Sequence, residues 1–137
     1  MIKGLHHIGI ASKNLAKDTA FFETFGYVPE GSVQEDAAAK IRVQFLKAAG
    51  QPLLELVSDT DKDGPMAAHL QARRKIFHFA YESDNLESDA KRMIEGNGAM
   101  FLVPITPVEN TGNPIKAWCY LAFRNGMITE LLETRKQ

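Results

Sequence analysis

The sequence predicts an α+β domain made of two tandem βαβββ modules, and two repeated stretches predict it. The first repeat opens at His7 and returns at His78, 71 residues later, with Ser, Asn, Leu and Asp recurring at the same spacing behind each histidine. The second repeat is Leu53–Val57, which returns as Ile128–Leu132 at an offset of 75 residues. Each half therefore opens on a histidine and closes on a glutamate.

Length and composition limit the possible functions. A chain of 137 residues buries one core of ordinary size, so a single domain over residues 1–137 is expected. The 16 basic and 17 acidic residues give a net charge of −1, which offers no electrostatic footprint for nucleic acid. The chain shows no apolar run of about 20 residues that could span a bilayer and no apolar signal segment. A cytoplasmic protein is expected.

The first module is expected over about residues 4–57. Its first strand, Gly4–Ala11, leads into a helix that Ser12 or Asn14 caps and that runs to about Phe25. Branched and aromatic residues in short runs predict the remaining strands. These strands are Tyr27–Val33, Ile41–Lys47 and Pro52–Val57.

A polar connection with a short helix, residues 58–74, is expected to lead to the second module, residues 75–134. Pro65 suits the first position of that short helix, because its missing N–H would have no partner there. The elements of the second module are strand Phe77–Glu82, a helix from Leu86 to about Glu95 capped by Asp84 or Asn85, and strands Ala99–Val103, Lys116–Phe123 and Met127–Glu133.

Two stretches carry expectations about the surface. Residues 104–114 contain three prolines and no apolar period, which predicts an irregular loop that borders a site. Phe21, Phe22 and Phe25 recur at helical spacing and are expected in the core.

A histidine and a glutamate that both recur indicate a metal site. Imidazole nitrogen and carboxylate oxygen suit divalent first-row metals, and four such groups leave room for water or substrate on an octahedral ion. The available set is His7, Glu55, His78 and Glu130. Two come from each module, as a site on a pseudo-twofold axis between duplicated modules requires. A single histidine on an apolar strand is more often a core residue, but recurrence of both residues favours the metal.

Three further residues are not expected to be ligands. His6 has no counterpart before His78 and is expected either at the surface or next to the ligands. His69 falls in the short linker helix and is expected to face solvent. Cys119 is the single cysteine, which excludes an internal disulfide, and its apolar strand predicts a buried, unreactive thiol.

Four stretches of the chain together carry a family resemblance. They are His7-Ile8-Gly9-Ile10, Leu54-Glu55-Leu56-Val57, His78-Phe79-Ala80-Tyr81-Glu82 and Thr129-Glu130-Leu131-Leu132-Glu133. They resemble the vicinal oxygen chelate superfamily, which includes glyoxalase I, methylmalonyl-CoA epimerases, antibiotic resistance proteins and extradiol dioxygenases. The resemblance covers essentially the whole chain and implies a curved mixed sheet around a metal cleft. Residues 63–70, 77–86 and 112–115 resemble methylmalonyl-CoA epimerases in particular.

The resemblance implies a lyase or isomerase of the glyoxalase I or methylmalonyl-CoA epimerase type. Such an enzyme removes a proton α to a carbonyl that is chelated on one divalent metal, here Ni, Co, Mn or Zn. Glu130 would move the proton, with His7, Glu55 and His78 as the steadier ligands. The implied substrate is a thiol-conjugated or CoA-linked carbonyl compound, and a homodimer is expected. These epimerases use a second acidic base, but the polar residue on strand Ile41–Lys47 is Gln44, a poor base.

Two other functions stay open. An antibiotic-resistance thiol transferase usually keeps three ligands, so a set of four disfavours it. A protein that sequesters a drug or metabolite generally lacks the ligands altogether. The substrate, the metal and the choice between a site built within one chain or shared by two chains of a dimer also stay open.

Overall fold

The structure, a computed structural model, describes residues 1–136 and contains eight strands and three helices in that range. In chain order they are β1 (Ile2–Ala11), α1 (Leu15–Glu23), β2 (Val28–Asp36), β3 (Ile41–Lys47), β4 (Leu53–Asp59), α2 (Pro65–Gln71), β5 (Ile76–Ser83), α3 (Leu86–Asn97), β6 (Met100–Pro107), β7 (Ile115–Ala122) and β8 (Ile128–Thr134). The order repeats βαβββ twice, with α2 between the copies. The predicted α+β class with two βαβββ modules is confirmed.

The chain divides into two compact units, and the boundary falls within β1. The first unit is residues 7–77, and the second unit is residues 1–6 together with the residues from 78 onward. The linker helix α2 therefore belongs to the first unit. The single domain expected over residues 1–137 stays a prediction.

The sheet of the first unit has the strand order β2-β3-β4-β1. β2, β3 and β4 pair antiparallel, and β4 pairs parallel to β1. One face of this sheet is apolar and packs against α1, whose first turn is capped by Asn14 Oδ1 accepting from the Lys17 N–H at 3.0 Å. The buried residues of this core are Ile10, Leu46, Leu54 and Leu56.

The short helix α2 is fixed to the end of β4 by a carboxylate. The two oxygens of Asp59 accept from the Met66 and Ala67 N–H groups at 2.8 and 2.9 Å, which satisfies donors that a helix start leaves open. Pro65 occupies the start of the helix, as predicted. Met66 is buried with Ala11 and Val57 in a second small core.

The sheet of the second unit has the order β5-β8-β7-β6. β5 pairs parallel to β8, and the other two pairs are antiparallel. Asn85 Oδ1 caps α3 by accepting from the Ser88 N–H at 3.0 Å, and Gly98 ends it with a φ of 64°, which glycine adopts without strain. The core consists of Leu86, Ala90, Ala99, Cys119, Leu121 and Leu131.

Part of the predicted loop 104–114 is a strand, which corrects that expectation. β6 continues through Pro104 to Pro107 and pairs with β7 across two register shifts. Because β6 is the last strand in its sheet, a proline can lie there with its missing donor on the unpaired side. The irregular connection shrinks to residues 108–114.

Two of the three phenylalanines predicted to be core residues are exposed. Phe21 is 55% exposed and Phe25 is 67% exposed. α1 ends at Glu23, and its single inward stripe includes Phe22, which packs on the core. Phe21 and Phe25 lie four residues apart, on another side of the chain from Phe22, and contact each other with ring centroids 5.4 Å apart.

The helices in the described part of the chain are shorter than a membrane span requires. None of those within residues 1–136 is long and apolar enough to cross a bilayer.

Candidate metal centre

The first unit holds one of the two predicted pairs, His7 with Glu55. β1 and β4 run parallel with Gly9 as the register partner of Glu55, so His7 lies on the same face, two residues away. The intervening Ile8 and Ile10 point to the other face and pack in the core. His7 Nε2 is 3.8 Å from Glu55 Oε2, and the two side chains are 1% and 17% exposed. The pair is largely withdrawn from water.

The second unit holds the equivalent pair, His78 with Glu130. β5 and β8 are parallel with Ala80 as the register partner of Glu130, so the arrangement of strands repeats that of the first pair. His78 Nε2 is 3.2 Å from Glu130 Oε2, and the side chains are 1% and 9% exposed. Leu131, which follows the glutamate, points to the other face and joins the core. The backbone therefore aims each glutamate at the histidine of its own unit.

Tyr120 is a residue of this centre that sequence analysis missed. It lies directly across from Glu130 in the antiparallel β7–β8 pair. Its hydroxyl donates to Glu130 Oε2 at 3.3 Å, and its ring meets the His78 ring edge-on with centroids 5.4 Å apart. The turn signal Asn125-Gly126 does not reveal Tyr120, because a two-residue turn there would place Leu121 opposite Glu130. The hairpin of the structure has a loop one residue longer, and this shift brings Tyr120 opposite Glu130.

Phe45 takes the equivalent place in the first unit. It is the cross-strand partner of Glu55 in the β3–β4 pair, and its ring meets His7 edge-on with centroids 5.7 Å apart. The same aromatic contact with a histidine is therefore present, but the phenylalanine ring carries no hydroxyl to donate.

Gln44 lies on the opposite face of β3 from the metal-binding candidates. It pairs with Leu56, whereas its neighbour Phe45 pairs with Glu55, and side chains alternate along a strand. The Gln44 amide donates to the carbonyls of Gly31 at 3.2 Å and of Phe45 at 2.8 Å. Gln44 is thus committed to backbone hydrogen bonds and supplies no second base to this face.

The three residues set aside at the sequence level have mixed outcomes. Cys119 is fully buried, and burial raises the pKa of its thiol to about 11, which confirms an unreactive thiol. His6 is half-buried, which agrees with either of its expected places. His69 is half-buried as well, which corrects its expected exposure to solvent. The ring of His69 stacks on the ring of Phe77, with centroids 5.1 Å apart, and this contact covers part of the His69 side chain.

Glu82 also lies on the same face of β5 as His78, but its partners make it a weak proton acceptor. The Thr134 hydroxyl donates to Glu82 Oε1 at 2.5 Å, and Lys3 Nζ donates to the same oxygen at 3.2 Å. The hydrogen bond from Thr134 is the largest cause that lowers the pKa of Glu82, and Lys3 lowers it further. Glu82 is therefore held as a charged structural group.

The two pairs fit a divalent metal by donor type and by spacing. Two ligand atoms that each lie about 2.1 Å from one ion and at right angles around it are about 3 Å apart. The 3.2 Å between His78 and Glu130 is close to this value, and the 3.8 Å between His7 and Glu55 is somewhat longer. The buried side chains of His7, His78 and Glu130 each offer one suitable ligand atom.

Comparison with known protein families gives one match over most of the chain. The family model described as Glyoxalase/Bleomycin resistance protein/Dioxygenase superfamily matches residues 6–116. That range includes His7, Glu55 and His78 and ends before Glu130. None of the curated proteins matches this sequence.

Solved structures share the fold over nearly the full length of the chain. Methylmalonyl-CoA epimerase from Mycobacterium tuberculosis has a TM-score of 0.81 at 18% identity, covering 98% of this chain and 90% of that chain. A variant of Streptomyces coelicolor methylmalonyl-CoA epimerase, in complex with 2-nitronate-propionyl-CoA, has a TM-score of 0.80 at 20% identity, covering 99% and 100%. A hypothetical protein from Bacillus halodurans has a TM-score of 0.80 at 20% identity, covering 97% of this chain and 95% of that chain. At these identities the likeness is one of fold.

Proposed function

Because this chain belongs to the Glyoxalase/Bleomycin resistance protein/Dioxygenase superfamily, we propose that it is a metal-dependent enzyme that removes a proton from the carbon next to a carbonyl group. The proposed reaction class is that of a lyase or isomerase, of the glyoxalase I or methylmalonyl-CoA epimerase type. The observation that carries the proposal is the repeated pair: each unit holds one buried histidine within 4 Å of one glutamate on adjacent parallel strands.

The proposed ligands of one divalent ion are His7, Glu55, His78 and Glu130. Nickel, cobalt, manganese and zinc all accept this combination of imidazole and carboxylate ligands. When bound, the ion supplies Lewis-acid chemistry, which polarises a substrate carbonyl and makes the neighbouring C–H bond more acidic. The proposal covers both a site built by one chain and a site shared by two chains of a homodimer.

Glu130 is the proposed group that moves the proton. Its side chain is 9% exposed, so few water molecules compete with a substrate for its oxygens. His78 faces its Oε2 atom at 3.2 Å, and a carboxylate held through one oxygen can still accept a proton on the other. His7, Glu55 and His78 are assigned to holding the ion.

The proposed substrate is a thiol-conjugated or CoA-linked carbonyl compound. The support is the fold shared with an epimerase that was solved with a CoA derivative. A thioester carbonyl, or the ketone next to a hemithioacetal carbon, makes the adjacent C–H bond more acidic, and this is the bond that a single buried carboxylate would break. The homodimer and the cytoplasmic location expected from the sequence stay predictions.

Metal content is the first test of this proposal. The purified protein is reconstituted with Ni²⁺, Co²⁺, Mn²⁺ or Zn²⁺ and measured by elemental analysis, beside the double variant His78→Ala, Glu130→Ala. About one ion per proposed site is expected in the wild type, with loss in the double variant, because two of four ligands are gone. The control is His69→Ala, Glu109→Ala, which also removes one histidine and one glutamate but should keep the ion.

The result that would overturn the proposal is a wild-type protein that binds none of the four ions. Binding of a drug or metabolite by that metal-free protein would then support sequestration. If the ion binds, proton abstraction is followed by NMR in D₂O with methylmalonyl-CoA and with the hemithioacetal of methylglyoxal and glutathione. Deuterium incorporation at the carbon next to the carbonyl supports the proposed reaction class.

A further inference from the structure

The internal repeat places two aromatic residues in equivalent positions beside the two glutamates. Phe45 and Tyr120 are 75 residues apart, the same offset that separates Glu55 from Glu130. Each aromatic is the direct cross-strand partner of its glutamate. The two positions therefore differ by a single hydroxyl group, and this group occurs only beside Glu130.

The hydroxyl of Tyr120 approaches the same oxygen of Glu130 that His78 faces. The Tyr120 hydroxyl is 3.3 Å from Glu130 Oε2, at the long end for such a hydrogen bond, and His78 Nε2 is 3.2 Å from that atom. Two groups on one carboxylate oxygen restrict rotation of the carboxylate about its last torsion, which is otherwise broad. The other oxygen, Oε1, then points in a defined direction.

The ring of Tyr120 is itself held in place. It meets the ring of His78 edge-on, with centroids 5.4 Å apart, and the ring of Trp118 edge-on, with centroids 5.5 Å apart. All three residues lie in the second unit, and aromatic contacts on two sides limit the rotamers open to the phenol. The hydroxyl is therefore presented to Glu130 at little further cost in side-chain entropy.

We propose that Tyr120 is a positioning residue, whose hydroxyl fixes the orientation of the Glu130 carboxylate by holding its Oε2 atom beside His78. This inference rests on the proposed function, because it deepens the role given there to Glu130. It also gives a physical reason why Glu130 and not Glu55 moves the proton: Glu55 has a phenylalanine at the equivalent position, which cannot orient a carboxylate by hydrogen bonding.

Cobalt binding tests the inference without requiring the substrate to be known. Co²⁺ is titrated into the wild type, Tyr120→Phe and Tyr81→Phe, and both the dissociation constant and the visible absorption spectrum of the bound ion are measured. Tyr81→Phe is the matched control, since it also removes one phenol hydroxyl from the second unit but lies on the other face of β5, against the core. Thermal unfolding of the metal-free proteins is followed in parallel.

The expected result for Tyr120→Phe is a Co²⁺ affinity about 10- to 100-fold weaker, as found when a hydrogen-bond partner of a metal ligand is removed. A change in the Co²⁺ spectrum should accompany it, because the carboxylate ligand is no longer fixed. Tyr81→Phe should match the wild type in both measurements. Equal melting temperatures for the two metal-free variants would separate this effect from a loss of folding stability.

Failure of the inference and failure of the proposed function give different results. If the wild type binds Co²⁺ and Tyr120→Phe binds it with the same affinity and spectrum, the positioning role is overturned and the proposed function stands. If the wild type binds no Co²⁺, both are overturned. As a second variant, Phe45→Tyr combined with Tyr120→Phe moves the hydroxyl to the first unit. This swap should leave the affinity weakened, and full recovery would also contradict the assignment to Glu130.

Discussion

The two units repeat the same histidine and glutamate on the same arrangement of strands but surround them differently. In the first unit His7 and Glu55 are 3.8 Å apart, and in the second His78 and Glu130 are 3.2 Å apart. Both pairs lie on adjacent parallel strands with identical spacing in register. The hydroxyl of Tyr120 is added only in the second unit. The backbone of the repeat is thus shared, and the difference lies in the neighbouring side chains.

The helices of the two units also differ, in how many of their residues are buried. Within residues 15–23, all of which the structure describes, α1 has no buried residue. In α3 the residues Leu86, Asp89 and Ala90 are buried. The repeated aspartate shows the consequence. Asp18 pairs with the half-exposed Lys75 at 2.8 Å, while Asp89, 3% exposed on its side chain, accepts from the Ser83 hydroxyl at 2.6 Å. Equivalent positions in the repeat therefore have very different surroundings.

The largest expected effect is a difference in kcat between variants of the two glutamates. Glu130→Gln should lower kcat for proton exchange by about 10²- to 10⁴-fold, since a glutamine oxygen can still bind an ion but cannot accept the proton. Glu55→Gln should cost less than about tenfold, because only a ligand is changed. Deuterium incorporation into methylmalonyl-CoA or the hemithioacetal, measured beside metal content, checks both variants. Equal losses in the two variants would give the glutamates the same role and break the comparison.

The next effect tests whether the two cores contribute alike. Leu56 and Leu131 are equivalent at the 75-residue offset and are 0% and 1% exposed. Replacing either by alanine should lower the free energy of unfolding by about 2–5 kcal/mol, from lost burial and the cavity left behind. Urea denaturation of each variant measures this cost. A loss below about 1 kcal/mol in one variant only would show that its unit can collapse around the missing side chain.

Replacing Asp18 or Asp89 by asparagine should lower the free energy of unfolding by different amounts and with different pH dependence. Burial alone would raise the pKa of Asp89, but hydrogen bonds from Ser83 and Arg92 outweigh it and lower the pKa below its usual value. Asp89→Asn should therefore cost about 1–3 kcal/mol at neutral pH. Asp18→Asn should cost at most about 1 kcal/mol, because its ion pair with Lys75 is partly exposed.

The pH dependence of this stabilisation follows from the sign of the shift. A lowered folded-state pKa means that the charged form of Asp89 stabilises the fold fully above its usual pKa, and that this contribution is lost as the pH falls toward the folded-state value. The difference in unfolding free energy between wild type and Asp89→Asn should shrink between about pH 5 and about pH 3. A difference that stays constant over this interval would contradict the assignment.

The smallest expected effect is the stability cost of removing a helix cap, which should be the same in both units. Asn14 and Asn85 each cap a helix by accepting from the N–H three residues ahead, both at 3.0 Å. Alanine at either position should cost about 1 kcal/mol. Unequal costs, measured by thermal unfolding, would show that the repeat differs even where its geometry is identical. Serine variants, which can also cap, should recover most of the loss.

The sequence by itself determined the repeated architecture and the four candidate ligands. Alternating apolar residues and the asparagine helix caps repeat along the chain, and each is a local signal that can be identified without knowledge of distant contacts. The α+β class and the βαβββ order followed from them. His7, Glu55, His78 and Glu130 were identified because two unusual residue types recurred together.

Only the tertiary structure decided the surroundings of those residues. Tyr120 joins Glu130 through a cross-strand contact, Gln44 turns to the opposite face of its strand, and Phe21 and Phe25 lie exposed where helical spacing predicted core. Each outcome depends on strand register or on which stripe of a helix meets a sheet. Register changes the face of every side chain with a one-residue shift, so such contacts follow from the assembled sheet and not from local pattern.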